Sequence, residues 1–147
     1  VGMPDPQNPA SIPEKTIKSW NDEKIIEWWG WKRNMAQIYQ QINIVCLPSY
    51  YREGVPKTLI EAAASGRAII TTDTQGCREV VKNNQNGLLV APHSSQELAD
   101  AIQILVEDKN LRQRMGREGR QIAEKYFDLR NVIRAIRELY WVDQKSC

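Results

Sequence analysis

Short apolar runs alternate with helical patterns along the first two thirds of the chain. "KIIEWWG" (Lys24 to Gly30), "INIVCLPS" (Ile42 to Ser49), "RAIITTD" (Arg67 to Asp73) and "NGLLVAP" (Asn86 to Pro92) are rich in β-branched and other apolar residues. Gly, Pro, Asp or Ser bounds each run, which predicts buried strands. Between them the spacing predicts helices over Asn34 to Gln41, Lys57 to Ser65 and Cys77 to Lys82. Beyond the last run only helical periodicity remains. Ser94 or Ser95 can cap a helix with Leu98, Ala101, Ile102 and Leu105 on one face. Further helices are expected from about Asn110 to Tyr126 and from about Leu129 to Tyr140. Strand–helix alternation of this kind specifies an α/β fold, a parallel sheet with helices on both faces, here with a helical C-terminus.

The 147 residues suit one domain, 1–147, with a sizeable core. "VGMPDPQNPASIP" reads as a Pro-rich loop whose first two residues could end a strand, so the chain is expected to begin inside a domain. Twenty basic against 18 acidic residues leave +2, which argues against nucleic acid as the main partner. The basic cluster "RQRMGREGR" (Arg112 to Arg120) reads as a solvated helix face. Cys46, Cys77 and Cys147 lack metal-ligand spacing, so reduced thiols in a cytoplasmic protein are expected, with Cys46 in the core. His93 reads as a surface residue, and Trp20, Trp28, Trp29 and Trp31 as packing rather than a sugar platform. No apolar run approaches the ~20 residues that span a bilayer.

The chemistry concentrates in "SYYREGVPKTLIEAAASG" (Ser49 to Gly66), directly after an expected strand. Open parallel sheets bind ligands at the carboxyl ends of their strands, where loops lead into helix N-termini. Pro56 suits the first helical position and Gly66 the position that ends the helix. The first-turn N–H groups then lack intrahelical partners and lie at the positive end of the dipole, which makes an anion cradle. Glu53 precedes the helix and Glu61 lies within it, roughly 7.5 Å beyond Pro56 at 1.5 Å per residue. Carboxylates would repel an anion, so their use is to accept hydrogen bonds from hydroxyls on either side of it. A sugar, a diphosphate and a ribose diol have that layout. The same residues also fit a solvated acid in a turn and a Lys57–Glu61 ion pair. Spacing leaves both readings open. An acid/base pair is disfavoured, because a helix N-terminus favours ionised carboxylates.

The run "LPSYYREGVPKTLIEAAASGRAIITTDTQGCREVVKNNQNGLLVAP", with "LADAI" and "MGREGR" downstream, resembles the C-terminal domain of GT-B fold glycosyltransferases of family 4. Its most specific parts are the acid pair of "EGVPKTLIE", the segment "TDTQGCREVV" and "NGLLV". The resemblance implies a Rossmann-like half of a two-domain enzyme that transfers a sugar from a nucleotide donor with retention of configuration, usually without a metal or other cofactor. It implies that Glu53 receives hydroxyls of the donor sugar and Glu61 those of the ribose. Backbone N–H groups of Gly54, Val55, Lys57 and Thr58 would face the sugar and diphosphate, and Trp31, Lys32 and Arg33 would lie near the base. The family's acceptor, a glycan or a lipid-linked glycan, binds mainly on the N-terminal domain, as does a catalytic or orienting group. No catalytic residue is therefore assigned to this chain. A sheet without its first strand would leave apolar edges, so a dimer or domain swap is a further expectation, as is peripheral membrane association of the parent. A non-catalytic nucleotide-binding module and a nucleotide-sugar epimerase of the same fold remain the alternatives.

Overall fold

The structure, a computed structural model, describes residues 1–8, 11–51 and 54–144, with side chains as far as residue 140. Its contacts divide into two compact units, Val1–Met35 and Ala36–Cys147.

The first unit holds α1 (Glu14–Asp22), a helix that the strand-and-loop expectation for this region missed. Its one ion pair among the described residues joins Lys18 to Glu14 one turn apart at 2.9 Å. The run Lys24 to Gly30 is not a strand. Lys24 turns the chain at φ 59°, the N–H groups of Ile25 and Ile26 both point back to the Trp20 carbonyl, and the Trp28 N–H donates to Asn21 Oδ1. With these donors engaged locally, the backbone at Ile25, Ile26 and Trp28 does not extend into a ladder, and Ile25 stays 64% exposed. The Trp28 indole N–H donates to the Gly2 carbonyl at 2.9 Å, and Trp20, Trp28 and Trp29 are half-buried, as packing requires.

In the second unit the chain runs α2 (Met35–Gln41), β1 (Ile44–Leu47), α3 (Lys57–Ala64), β2 (Ala68–Thr72), α4 (Gln75–Val80), β3 (Gly87–Val90), α5 (Ser95–Glu107), α6 (Lys109–Tyr126) and α7 (Leu129–Gln144). The three strands pair in parallel in the order β1-β2-β3, with Val45 opposite Ile69 and Ile70 opposite Leu88. All five residues of β2 are buried. Its alternate residues Ala68 and Ile70 join Val90, Ala101, Leu105 and Met115 in the core beneath α5 and α6. Thr71, on the opposite side of the strand, lies 3.1 Å from Cys77 Sγ in α4, and α3 contacts α4, β1 and β2. Helices thus cover both faces, as the alternation predicts.

Two expectations about burial fail. Cys46 is exposed, because β1 is an edge strand and alternate side chains point to opposite faces, Val45 inward. Ile102 is 38% exposed, because the buried stripe of α5 follows Leu98, Ala101 and Leu105 and leaves Ile102 at its side. The ends of α5 and α6 are capped by side chains: Ser94 accepts from the Glu97 N–H, and Asp108 from the Leu111 N–H at 2.8 Å. Arg112 closes the other end of α5 through the carbonyls of Leu105 and Val106, whereas Arg114 and Arg117 are exposed, as a solvated face would be.

The two glycines of "MGREGR" differ in their surroundings. A Cβ on Gly116 would collide with the Gly66 carbonyl, 2.9 Å from its carbon, whereas one on Gly119 would meet Ala63 Cβ at 3.7 Å, ordinary contact. Gly116→Ala should therefore lower stability by about 1–3 kcal/mol by forcing α6 off the end of α3. Gly119→Ala should stay within about 1 kcal/mol of the parent, on the stabilising side, since alanine is the better helix former. Denaturant midpoints compare the two; a Gly116→Ala protein as stable as the parent would show that the helices have room to separate.

Candidate functional site: the N-terminal end of α3

The site begins where β1 ends. The buried hydroxyl of Thr71 donates to the Leu47 carbonyl at 2.7 Å, and that of Thr72 to the Ser49 carbonyl. These two bonds hold the loop between β1 and α3 over the carboxyl end of the central strand. Gly54 and Val55 are exposed at its far end, and Pro56, which is buried, enters the helix. Pro56 is the N-cap, with ψ 119°, rather than the first helical residue. The helix starts at Lys57, as the spacing predicts, and Pro56 stands just outside it, because a proline φ of −66° suits either place and the extended ψ lets the loop come in from outside.

The two ends of α3 are treated differently. At the C-terminal end Gly66 takes φ 66°, its N–H donates to the Ala63 carbonyl at 2.9 Å, and the Arg67 N–H donates to the Ala62 carbonyl at 3.0 Å, the paired bonds of a Schellman turn. Arg120 takes the Ala64 carbonyl and the Arg67 guanidinium that of Ser65. At the N-terminal end the N-cap is Pro56, which offers no side-chain oxygen, and no side chain among the described residues caps the helix. The first-turn N–H groups of Lys57 and Thr58 have no intrahelical partner and carry the positive end of the dipole, in an exposed stretch of chain.

Glu61 lies one turn into the helix on the same side as Lys57. Its Oε1 is 3.5 Å from Lys57 Nζ, in a pair whose side chains are 34% and 88% exposed. The ion pair of the plainer reading is present, then, but in water it is weak. The other oxygen has a different partner. Tyr39, in α2 and only 3% exposed, donates its hydroxyl toward Glu61 Oε2 at 3.2 Å and lies 3.4 Å from the Thr58 carbonyl. Burial, and secondarily the negative charge of Glu61, push the Tyr39 pKa up to about 12, so the hydroxyl remains a donor at neutral pH. Sequence reasoning missed this contact. Apolar spacing places Tyr39 on a helix, but nothing in it links position 39 to position 61.

Glu53 lies outside the described residues. Beside Gly54 and Val55 opens a cavity of about 880 Å³, walled by Tyr50 and Tyr51 and, across it, by Thr74, Gly76 and Arg78. The tyrosine rings stack at 4.5 Å, and Tyr50 packs 4.6 Å from the ring of His93, which is exposed as expected but not isolated. Arg78 pairs with Asp73 at 3.3 Å on the same rim. Trp31, Lys32 and Arg33 belong to the first unit. All three are exposed, Trp31 by 64%, so it does not share the packing of its neighbours.

Comparison with known proteins bears on what these residues serve. Residues 13–122 match the family described as Glycosyl transferases group 1. Among curated relatives, the chain is 33% identical over 101 residues to the N,N'-diacetylbacillosaminyl-diphospho-undecaprenol alpha-1,3-N-acetylgalactosaminyltransferase of Campylobacter jejuni, a match covering 69% of this chain and 27% of that enzyme. It is 48% identical over 62 residues to sucrose-phosphate synthase of Zea mays, covering 42% of this chain and 6% of that protein. Among solved structures, Anabaena Alr3699/HepE in complex with UDP superposes with a TM-score of 0.80 at 24% identity, over 87% of this chain and 35% of that one. The sucrose-phosphate synthase of Thermosynechococcus elongatus does so with 0.78 at 25%, over 98% and 37%. The chain thus spans roughly a third or less of the proteins it resembles. On the family match and the shared parallel sheet, it belongs to the group 1 glycosyl transferases, as a C-terminal domain of the GT-B fold.

Proposed function

We propose that this chain is the donor-binding part of a retaining glycosyltransferase and holds a nucleotide-diphosphate sugar, a UDP-sugar, at the N-terminal end of α3. The observation that carries the reading is the open N-terminus of α3 at the carboxyl end of β1, with Lys57 and Glu61 on its first turns. Open N–H groups, the helix dipole and an exposed lysine suit a diphosphate. Glu61, one turn further in, suits the ribose diol, and Glu53 in the preceding loop suits hydroxyls of the transferred sugar. Gly54 and Val55, exposed just ahead of Pro56, are assigned backbone N–H contacts to the sugar and diphosphate. Trp31, Lys32 and Arg33 are the proposed contacts of the base. One solved neighbour, Anabaena Alr3699/HepE, is known in complex with UDP and in complex with UDP-glucose, which makes this donor class the natural one to test.

The chemistry assigned to these residues is electrostatic. As the bond from the anomeric carbon to the diphosphate breaks, negative charge grows on the leaving phosphate. Donors already aimed at that position stabilise it more in the transition state than in the ground state. The reacting acceptor, a glycan or lipid-linked glycan, and its orienting groups are assigned to the N-terminal domain of the parent enzyme. No metal is required by this reading, since α3 and Lys57 supply the positive charge.

Glu61→Ala should weaken UDP binding about 10- to 100-fold, the size of a lost hydrogen bond to a charged group. Calorimetry on the full natural protein measures it, and an unchanged Kd would sink the ribose assignment. Glu53→Ala should leave UDP affinity nearly intact while reducing the preference for one UDP-sugar over its epimers; a loss of UDP affinity with the preference unchanged would reverse the two roles. EDTA should leave the Kd for UDP unchanged, and a Kd that rises with chelation and recovers with added Mg²⁺ would overturn the metal-free cradle.

A further inference from the structure

Glu61 is held from two sides by partners of opposite character. Lys57 reaches Oε1 through a long side chain that is 88% exposed. Tyr39 reaches Oε2 from a ring that is 3% exposed and fixed by its packing in α2. An anion at the end of α3 competes for the ammonium of Lys57, and a flexible chain in water gives up such a pair at little cost. The tyrosine has no such freedom. Its hydroxyl carries one proton and faces two acceptors, an ionised carboxylate and the Thr58 carbonyl that the helix already uses, and the charged acceptor makes the stronger bond.

We propose that Tyr39 is the positioning residue of Glu61, fixing the carboxylate by its Oε2 so that the lone pairs left on both oxygens receive the two neighbouring hydroxyls of a ribose. This rests on the reading of Glu61 as the ribose acceptor. An ionised carboxylate has about four acceptor positions, and one hydrogen bond from Tyr39 leaves enough for a diol. Without the tyrosine the carboxylate is free to rotate toward solvent or follow Lys57, and each rotamer lost on binding then counts against the ligand.

The test is a ratio of affinities, measured by calorimetry on the full natural protein with UDP and with 2′,3′-dideoxy-UDP. The parent protein should prefer UDP about 10-fold or more, a difference of about 1.4 kcal/mol per factor of ten. Tyr39→Phe should cut that preference at least threefold while leaving the affinity for the dideoxy nucleotide unchanged, which loss of packing alone would not do. Lys57→Ala should weaken both nucleotides together and keep the ratio. Glu61→Ala should bring the ratio to about one. If Glu61→Ala abolishes the preference and Tyr39→Phe keeps it, Tyr39 is not a positioning residue although the ribose reading stands. A parent with no preference, or a Glu61→Ala protein that retains it, overturns the ribose reading itself and this inference with it. Placing 3-fluorotyrosine at position 39 keeps the ring and strengthens the donor, so the ratio should hold or rise; a fall overturns the assignment.

Discussion

Everything at the site hangs on a central strand with no exposed residue. β2 is paired on both edges and covered on both faces, so each polar group it carries must find a partner inside the protein. Thr71 and Thr72 find theirs in the carbonyls of Leu47 and Ser49, at the end of the neighbouring strand. Leaving either hydroxyl unpaired in that interior would cost on the order of 1–3 kcal/mol. The cheapest arrangement of the core is therefore also the one that fixes where the loop after β1 departs. That anchors the start of the loop whose far end is Pro56, where α3 begins.

The far end of α3 is fixed just as firmly. Gly66 turns the chain out of the helix, Arg67 and Arg120 take its last carbonyls, and Gly116 lets α6 approach to backbone contact. Any side chain at 116 would push α6 away and loosen the C-terminal anchorage of α3. A glycine in mid-helix is worth about 1 kcal/mol less than alanine in propensity. That cost is accepted where two backbones must touch. The link from this packing to function is mechanical: a helix clamped at its C-terminal end can offer preorganised N–H groups at its N-terminal end.

Much of this was legible in the sequence, and the failures share a cause. Three apolar runs became strands because partners exist for them, and Gly66 ended its helix because only a residue tolerant of φ 66° completes that turn. Lys24 to Gly30 has the composition of a strand, but the N–H groups of Ile25, Ile26 and Trp28 are engaged by Trp20 and Asn21, so local bonds decided where composition could not. Cys46 and Ile102 sit in apolar runs and are exposed, since a run does not say which of its faces is covered. The placement of Glu61 near a helix N-terminus followed from Pro56 and Gly66. Its bond to Tyr39 joins residues 22 positions apart on different elements, and no periodicity reports such a contact.

The start of α3 also tells a capping preference from a functional one. α5 and α6 begin with Ser94 and Asp108, whose oxygens satisfy first-turn N–H groups, a contribution of about 1 kcal/mol each. α3 begins with Pro56 and has no such cap. Lack of a cap is not in itself a sign of a site, because α1 also follows a proline, Pro13, without one. The difference is location. The open end of α3 lies at the carboxyl end of a parallel strand, beside Gly54 and Val55 and one turn from a carboxylate held by a buried hydroxyl. A serine or aspartate at 56 would place its oxygen over the same N–H groups and compete with any anion for them. Proline sets the helix direction and puts no oxygen of its own over those N–H groups, so the residue that forgoes the cap leaves room for the proposed anion.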